Sequence, residues 1–457
     1  MSELVRRDPA PRVRHVHLGL GNFFRAHQAW YTAHASDGGD WGIAAFTGRS
    51  PDLARALAAQ DGLYTLVTRG PDGDAFEVVP SVARAHAASE HEAWLGYLAD
   101  PAVRVVTTTV TEAGYVRDPA GDPDVGRPEL AADLETLRRE PTVLVRTAPA
   151  RLVAGLLARR RADAGPLTVV PCDNLPDNGA AVARVLLGLA EQVDPALRSW
   201  IEESVGFATT MVDRITPEPT AVDVAAVAAG TGVQDRAPVV TEPFTEWVLS
   251  GAFAAGRPAW QDAGATFTTD VAPFEQRKLW LLNGAHPMLA YAASLRGHVT
   301  VADAMRDPVC RAWIEDWWDA AAPHLTLPAA DVAAYRAALT DRFANPRMAH
   351  RLDQIAFDGS QKLPIRTVPV LRLEVAAGRV PVGAVRPVAA WVCHLRGHGA
   401  AVTDARLEEL SPLVGGSLRD AVQRVLGVLA PDLAAHAALV DAVVDQAEEL
   451  EAATLRA

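Results

Sequence analysis

The sequence predicts an α/β domain built on a doubly wound, mostly parallel sheet, followed by a mainly α-helical domain. Two observations predict this arrangement. Strand patterns alternate with helical patterns over the first part of the 457-residue chain, and such alternation is typical of a parallel sheet with helices on both faces. Beyond about residue 270, helical patterns rich in Ala, Leu and Val follow with little strand signal. We therefore expect domains at residues 1–270 and 271–457.

The composition indicates a soluble globular protein that does not bind nucleic acid. Hydrophobic residues make up 49% of the chain and charged residues 22%, which is enough for a sizeable core. The net charge of −13, without a basic stripe, argues against a phosphate-backbone partner. No leader-like segment and no apolar run near the ~18 residues required to span a bilayer occurs. We expect a cytoplasmic monomer or small homo-oligomer with no membrane partner.

The first strand and helix enclose a glycine turn. Residues 13–18 read as a strand, Gly19 and Gly21 follow, and residues 26–35 read as a helix. Gly19 permits a tight turn and Gly21 a close approach, so that free N–H groups at a helix start can hold a pyrophosphate. Phe24 takes the place of the usual third glycine, and an ordinary structural turn is the alternative interpretation.

The later elements continue the alternation. We predict strands at 41–47, 103–112 and 167–174, and helices from Pro51 and over 147–161. The acid that usually follows the second strand and holds an adenosine ribose is missing. Arg49 stands there instead and could meet a 2′-phosphate, so the choice between NAD and NADP stays open; we expect NAD and do not exclude NADP.

The second domain carries five long helical patterns, at 273–295, 308–322, 329–343, 416–429 and 433–454. We expect the active site in the cleft between the domains, facing the carboxyl ends of the strands. The three cysteines are too scattered for a disulfide framework or a CxxC metal site. Cys393, His394 and His398 lack an evident further ligand, so we expect no metal.

Lysine is almost absent from this chain. Only Lys278 and Lys362 occur, against 41 arginines. Arginine stays protonated in a protein, whereas burial can lower the pKa of a lysine until it accepts a proton. Lys278 is therefore the candidate catalytic base. Chance in an Arg-rich composition is the alternative.

The segment around Lys278 begins with Pro273 at a plausible first helical position. At ~100° per residue, Glu275 and His286 lie within about 80° of Lys278, among leucines, and Asn283 lies about 140° away. Charged groups on a partly apolar face are costly unless they are paired or functional. A structural Glu275–Lys278 ion pair is the alternative.

These residue types suit alcohol oxidation without a metal. Lys278 would take the hydroxyl proton while hydride leaves the same carbon for a nicotinamide. Asn174 and Asn283 can donate N–H bonds to the oxygen as it gains negative charge. His286 can hold a neighbouring hydroxyl, and Glu275 can exchange the proton with solvent or tune the lysine.

Six segments in order, over residues 17 to about 372, resemble the mannitol dehydrogenase family, the polyol-specific long-chain dehydrogenases. They are HLGLGNFFRAHQ, TVTEAGY, CDNLPDNG, MVDRITP, EPFTEWV and KLWLLNGAH. The resemblance implies a Rossmann-type N-terminal domain, a largely helical C-terminal domain and no catalytic zinc. It also implies nicotinamide-dependent interconversion of a sugar alcohol or sugar acid with its keto form.

The family's roles fall on matching positions of this chain. Lys278 resembles the general base, Asn174 and Asn283 the oxyanion pair, and His286 a substrate ligand. Asp213 resembles an acid on the cofactor or substrate side, and a structural Asp213–Arg214 pair is its alternative. The cofactor-binding candidates are Gly19, Gly21, Asn22, Phe24, Arg25, Arg49, Thr111, Glu112 and Asp213.

The departures from the family concern specificity. Phe24 stands where many relatives carry His. The segment DGSQKLP at 358–364 looks more like the fructuronate reductase branch than the mannitol branch. Lys362 or Arg366 could pair with a uronate carboxylate, and a loop lysine that caps a helix is the alternative.

Substrate and activity therefore have several readings. The leading one is a metal-independent dehydrogenase for mannonate/fructuronate or mannitol/fructose. Arabinitol/xylulose and altronate/tagaturonate are alternatives, as are a catalytically silent sugar- or nucleotide-binding protein and a zinc alcohol dehydrogenase.

Overall fold

The computed structural model describes residues 2–454. The chain divides into two compact units, Met1–Ala272 and Pro273–Ala457. The first unit contains the strands and the second is helical, which confirms the predicted fold class.

The strands within the described residues all lie in the first unit. In chain order they are β1 (Ser2–Glu3), β2 (Val13–Leu18), β3 (Gly42–Phe46), β4 (Tyr64–Arg69), β5 (Asp74–Val79), β6 (Val82–His86), β7 (Val105–Thr108), β8 (Leu167–Pro171), β9 (Val205–Phe207), β10 (Thr209–Asp213), β11 (Val233–Gln234), β12 (Val239–Thr241), β13 (Glu246–Ser250) and β14 (Thr266–Phe267).

The main sheet has six strands in the order β6-β3-β2-β7-β8-β9, and every pair is parallel. The chain winds outward from β2 to one edge and then from β7 to the other, which is the 3-2-1-4-5-6 order of the Rossmann fold. The order reverses between β2 and β7. Ligands of such sheets bind outside the carboxyl ends of the strands at this reversal.

Burial on both faces explains the composition of the central strands. β3 and β8 are buried along their whole length and read as nearly continuous apolar runs. Three smaller sheets complete the unit: β12-β4-β5, β10-β13-β14 and β1-β11. The strands of these smaller sheets have two to six residues each.

The helices of the first unit cover the sheets. They are α1 (Asn22–Ala26), α2 (Gln28–His34), α3 (Asp52–Ala58), α4 (His91–Leu98), α5 (Pro128–Arg139), α6 (Ala148–Arg161), α7 (Asn178–Val193), α8 (Pro195–Ser204) and α9 (Ala221–Thr231), with 3₁₀ turns at Gly38–Asp40, Glu112–Tyr115 and Trp260–Ala263. The predicted helix at 26–35 is interrupted at His27, whose φ of −121° and ψ of −89° are not helical.

The second unit is built from helices between residues 272 and 454. They are α10 (Ala272–Arg277), α11 (Gly284–Met288), α12 (Val301–Arg306), α13 (Pro308–Ala321), α14 (Ala329–Ala344), α15 (Leu352–Ile355), α16 (Gly359–Arg366), α17 (Val368–Ala376), α18 (Val382–Leu395), α19 (Leu407–Leu410), α20 (Leu418–Leu429) and α21 (Ala437–Thr454), with π-helical segments at Lys278–Asn283 and Leu289–Ala293 and 3₁₀ turns at Ala322–His324, Pro346–Met348 and Ser411–Val414. None of the helices in the described range has the length and hydropathy of a bilayer-spanning segment.

The predicted helix at 273–295 is therefore present but is not a regular α-helix. It begins as α10, widens into the π segment Lys278–Asn283, continues as α11 and widens again at Leu289–Ala293. π turns are rare and occur mostly as single insertions, frequently at functional sites.

Candidate active site

The glycine turn after β2 requires glycine at its first position. Gly19 has a φ of +116°, and a Cβ there would collide with the carbonyl oxygen of Thr109. The N–H groups of Gly19 and Leu20 both donate to the Phe46 carbonyl, at 2.9 and 2.8 Å. The turn is therefore fixed between β3 on one side and the segment after β7 on the other.

The second glycine leaves the start of α1 open. No side chain caps α1 at Gly21, and a Cβ there would meet only the Gly19 carbonyl oxygen, at 3.5 Å. Gly19, Gly21 and Asn22 are partly exposed. Because the first N–H groups of a helix have no intrahelical partner, this backbone fits the close approach of a pyrophosphate.

Two predicted cofactor ligands are buried beneath the turn. The ring of Phe24 stacks on His17 with 3.6 Å between centroids. The guanidinium of Arg25 donates to the Ala237 carbonyl and, at 2.7 Å, to Asn22 Oδ1. Burial lowers the pKa of Arg25 to about 10. The structure thus gives these two side chains a supporting role under the turn rather than an exposed one.

A chain of hydrogen bonds leads from the sheet interior to this turn. Thr107 Oγ1 lies 2.7 Å from His15 Nε2 and 2.8 Å from His17 Nδ1. Thr109 Oγ1 lies 3.1 Å from His17 Nε2 and donates to the Gly19 carbonyl at 2.8 Å. Since each hydroxyl has one proton, Thr109 accepts from His17 Nε2–H, and Thr107 accepts from His15 and donates to His17 Nδ1.

The hydrogen bonds between these His and Thr side chains keep this donor-to-acceptor direction at neutral pH. Burial lowers the pKa of His15 to about 3 and that of His17 well below its ordinary value, with repulsion from His15 adding to the effect on His17. Both imidazoles are therefore neutral near pH 7. The sequence carries a signal for this hydrogen-bond network. His15 and His17 are two residues apart in one strand pattern, and Thr107 and Thr109 are two apart in another, so each pair lies on one face of its strand.

Three exposed candidates lie beyond the carboxyl ends of strands that flank β2. Arg49 follows β3, and Thr111 and Glu112 follow β7. β3 and β7 are the two neighbours of β2 in the sheet. The candidates therefore share the edge at which Rossmann sheets bind their dinucleotides.

The loop after β8 that carries Asn174 is held by a partly buried carboxylate. Asp173 accepts a 2.7 Å hydrogen bond from the Tyr115 hydroxyl and a 3.0 Å bond from the Leu175 N–H. Burial raises the pKa of Asp173. The side chain of Asn174 is exposed beyond the carboxyl end of β8, between these two residues.

Asp213 ends β10 and belongs to a different sheet. It is buried and lies opposite Glu246 in the antiparallel register with β13. The guanidinium of Arg214 donates to the carbonyls of Ala26 and Glu242, and burial lowers its pKa to about 10. Backbone carbonyls on two segments thus hold the guanidinium of Arg214 in place.

In the second unit, Lys278 and Asn283 stand at the two ends of a π segment. Both side chains are half-buried. A π turn bonds residue i to residue i+5, so residues five apart lie one turn above the other on the same side. The regular helical wheel, which separates Lys278 from Asn283 by about 140°, is therefore wrong for this segment.

Glu275 and His286 flank this pair along the same helix. Both are half-buried. The His286 imidazole lies 5.3 Å from the ring of Phe343 and 5.1 Å, edge-on, from that of His350. Burial lowers the pKa of His350. His286 is thus held by aromatic rings from two directions.

Lys362 and Arg366 lie one turn apart in α16, and Lys362 is therefore not a loop residue. Its ammonium donates at 3.0 Å to the carbonyl of Ile355, the last residue of α15, which fits the capping alternative. Burial and then the Arg366 charge lower the pKa of Lys362. α16 packs against the π segment that carries Lys278.

Cys393, His394 and His398 do not form a ligand cluster in the part of the chain that the structure describes. The group there that comes closest to one is His298, Asp307 and Cys310. The guanidinium of Arg296 already donates to Asp307 Oδ2 at 2.7 Å, so a cation would have to displace an existing positive charge.

Known proteins share both units of this chain. The model of the mannitol dehydrogenase Rossmann domain matches residues 13–262, and that of the mannitol dehydrogenase C-terminal domain matches residues 270–451. D-Mannonate oxidoreductase of Escherichia coli K12 is 38% identical over 456 residues, covering 96% of this chain and 93% of the relative. D-Arabinitol 4-dehydrogenase of Ralstonia nicotianae is 40% identical over 377 residues, covering 80% of each.

A solved structure matches the whole chain. Mannitol 2-dehydrogenase of Pseudomonas fluorescens, determined as a ternary complex with NAD and D-mannitol, superposes with a TM-score of 0.80 at 33% identity. The match covers 100% of this chain and 96% of that one. The chain therefore belongs to the mannitol dehydrogenase family and is an oxidoreductase.

Proposed function

We propose that this protein is an NAD(P)-dependent dehydrogenase that interconverts a secondary alcohol of a linear polyol or aldonate with its ketone, using Lys278 as general base. The observation that carries the proposal is the π segment. It brings Lys278, one of two lysines in the chain, to the same side of a helix as Asn283, with both side chains half-buried. A proton acceptor beside an amide donor is what alcohol oxidation requires.

The turn at residues 19–22 fits a dinucleotide. Its open backbone N–H groups at the start of α1 would hold the pyrophosphate, and Arg49, Thr111 and Glu112 stand at the same sheet edge. A bound nicotinamide dinucleotide supplies the acceptor for the hydride. The NAD complex of the Pseudomonas fluorescens relative supports NAD.

The side chains of this protein would handle the proton and the oxygen. Lys278, in its neutral amine form, accepts the hydroxyl proton of the alcohol. Asn283 and Asn174 donate amide N–H bonds to the oxygen as it gains negative charge. His286 holds a neighbouring hydroxyl, and Glu275 exchanges the proton of the lysine with solvent.

Among the substrates, an aldonate such as mannonate has the most support. Lys362 and Arg366 place two cations one turn apart on α16, a pairing that suits an anionic group of the substrate. Asp358 and Asp404 lie close enough to offset part of this charge. Two protons of the Lys362 ammonium remain beyond the one donated to Ile355, and a substrate carboxylate suits them.

Absorbance assays with NADH and NADPH across fructuronate, tagaturonate, fructose and xylulose, with and without chelator, test the proposal. Lys278→Ala should lower turnover about 10²- to 10⁴-fold, the usual contribution of a general base, with little change in NADH affinity. Lys278→Arg is the matched control, because it keeps the charge but cannot release the proton. Wild-type turnover in Lys278→Ala, or loss of activity on chelation, would contradict the mechanism.

The substrate assignment has its own test. Lys362→Met should raise KM for fructuronate much more than KM for fructose, because only fructuronate carries a carboxylate. An equal change for both substrates would leave Lys362 with the capping role alone.

A further inference from the structure

Two adjacent tryptophans of α13 donate to the π segment that carries Lys278. The indole N–H of Trp317 donates to the carbonyl of Trp280 at 2.8 Å, and that of Trp318 donates to the carbonyl of Leu281 at 2.9 Å. Trp280 and Leu281 lie in the middle of the segment, between Lys278 and Asn283. Both indoles are completely buried.

The two bonds act on the part of the helix where backbone hydrogen bonding departs from the α pattern. A π turn shifts carbonyls away from their i+4 partners, and a buried carbonyl without a donor is unfavourable. Consecutive donors that meet consecutive acceptors also fix both the rotation and the translation of the segment against α13. The indoles therefore favour the π register over a regular α-helical one.

The neighbouring sequence is adapted to this contact. Gly284 follows the π segment directly, and a Cβ on it would come within 2.5 Å of the Trp317 ring. The ring of Trp318 stacks on Phe343 at 6.3 Å, and Phe343 in turn packs on His286. The two indoles thus support, directly or through Phe343, three residues of the proposed reaction: Lys278, Asn283 and His286.

We propose that Trp317 and Trp318 are positioning residues, whose indole N–H groups hold the π register that brings Lys278 and Asn283 to one side of the helix. The inference rests on the proposed function, in which Lys278 and Asn283 act on the same oxygen. In a regular α-helix they would lie about 140° apart, too far around the helix to serve one hydroxyl group together.

Phenylalanine at these positions removes the N–H group and keeps an aromatic ring. The variants are Trp317→Phe, Trp318→Phe and the double variant. Trp313→Phe is the control, because Trp313 lies on the same helix, is half-buried and contacts the guanidinium groups of Arg296 and Arg386. We expect the double variant to lose at least tenfold in kcat, with the pH profile of kcat displaced and the Kd for NADH within twofold of wild type. The control should keep all three values.

Hydrogen exchange gives a readout that does not depend on turnover. Peptides covering residues 278–288 should exchange faster in the double variant than in wild type or in Trp313→Phe. If the double variant does not fold, the single variants decide, and each should show a smaller change in the same direction.

Lys278→Ala, assayed alongside, separates the two ways to fail. If Lys278→Ala keeps wild-type turnover, the proposed function is wrong. If Lys278→Ala is inactive while the tryptophan variants keep the kcat, pH profile and exchange rates of wild type, the positioning role is wrong.

Discussion

Replacing Thr109 with valine tests the hydrogen-bond chain that supports the glycine turn. Valine has nearly the same shape as threonine but lacks the hydroxyl, which donates to the Gly19 carbonyl and accepts from His17 Nε2. His17 is completely buried, so water cannot replace the lost acceptor. Gly19 is partly exposed, so water can replace part of the hydrogen bond that its carbonyl loses, and the cost in stability there is smaller.

The size of the effect follows from these two groups. A buried N–H group left without an acceptor costs about 1–3 kcal/mol, and the loss of an ordinary hydrogen bond costs about 1 kcal/mol. We therefore expect Thr109→Val to lower the free energy of unfolding of the first unit by about 2–4 kcal/mol. Because the Gly19 turn also loses a support worth about 1 kcal/mol, the Kd for NADH should rise about fivefold.

Urea unfolding and NADH fluorescence titration measure the two effects. Thr266→Val is the matched control, since Thr266 is an exposed strand residue of the same unit and should change stability by less than about 0.5 kcal/mol. A Thr109→Val protein as stable as the control, with the NADH affinity of wild type, would refute the supporting role of the chain.

Two further predictions concern charge. Burial raises the pKa of Asp173 in the folded protein, so wild type loses stability as the pH rises from the unfolded pKa through the folded one. Asp173→Asn cannot ionise, and its stability relative to wild type should therefore increase when unfolding is measured from about pH 4 upward. A stability difference that does not depend on pH would contradict this. Arg49 is exposed beyond β3 and is the candidate for contact with a 2′-phosphate. Arg49→Ala should therefore raise KM for NADPH far more than KM for NADH. Equal changes in the two KM values would show that Arg49 does not contact the 2′-phosphate.

The four central strands of the main sheet, β2, β3, β7 and β8, were predictable because they are largely buried. The predicted strand at 13–18 has the observed bounds, and the strands predicted at 41–47 and 167–174 are observed at Gly42–Phe46 and Leu167–Pro171. The strand predicted at 103–112 ends at Thr108, since the chain then turns toward the 3₁₀ segment Glu112–Tyr115. Apolar patterning does not distinguish a strand from the extended segment that follows it.

The sequence singled out candidate residues for the site but not the geometry around them. Scarcity singled out Lys278, yet a helical wheel assumes 3.6 residues per turn and cannot place Asn283 across a π turn. The donors that support this turn, Trp317 and Trp318, are more than thirty residues away along the chain. Phe24 and Arg25, two of the cofactor-binding candidates, are buried, because a helix directs some of its side chains inward.

The most direct test of the account is the titration of Lys278 itself. Because the chain has only two lysines, reductive methylation with ¹³C-formaldehyde gives two side-chain lysine signals in an NMR spectrum, and Lys362→Arg assigns them. The account predicts that the Lys278 signal titrates well below the ordinary lysine value of about 10.4, at the pH where kcat/KM is half-maximal. A Lys278 signal that titrates at the ordinary value would contradict its role as the base.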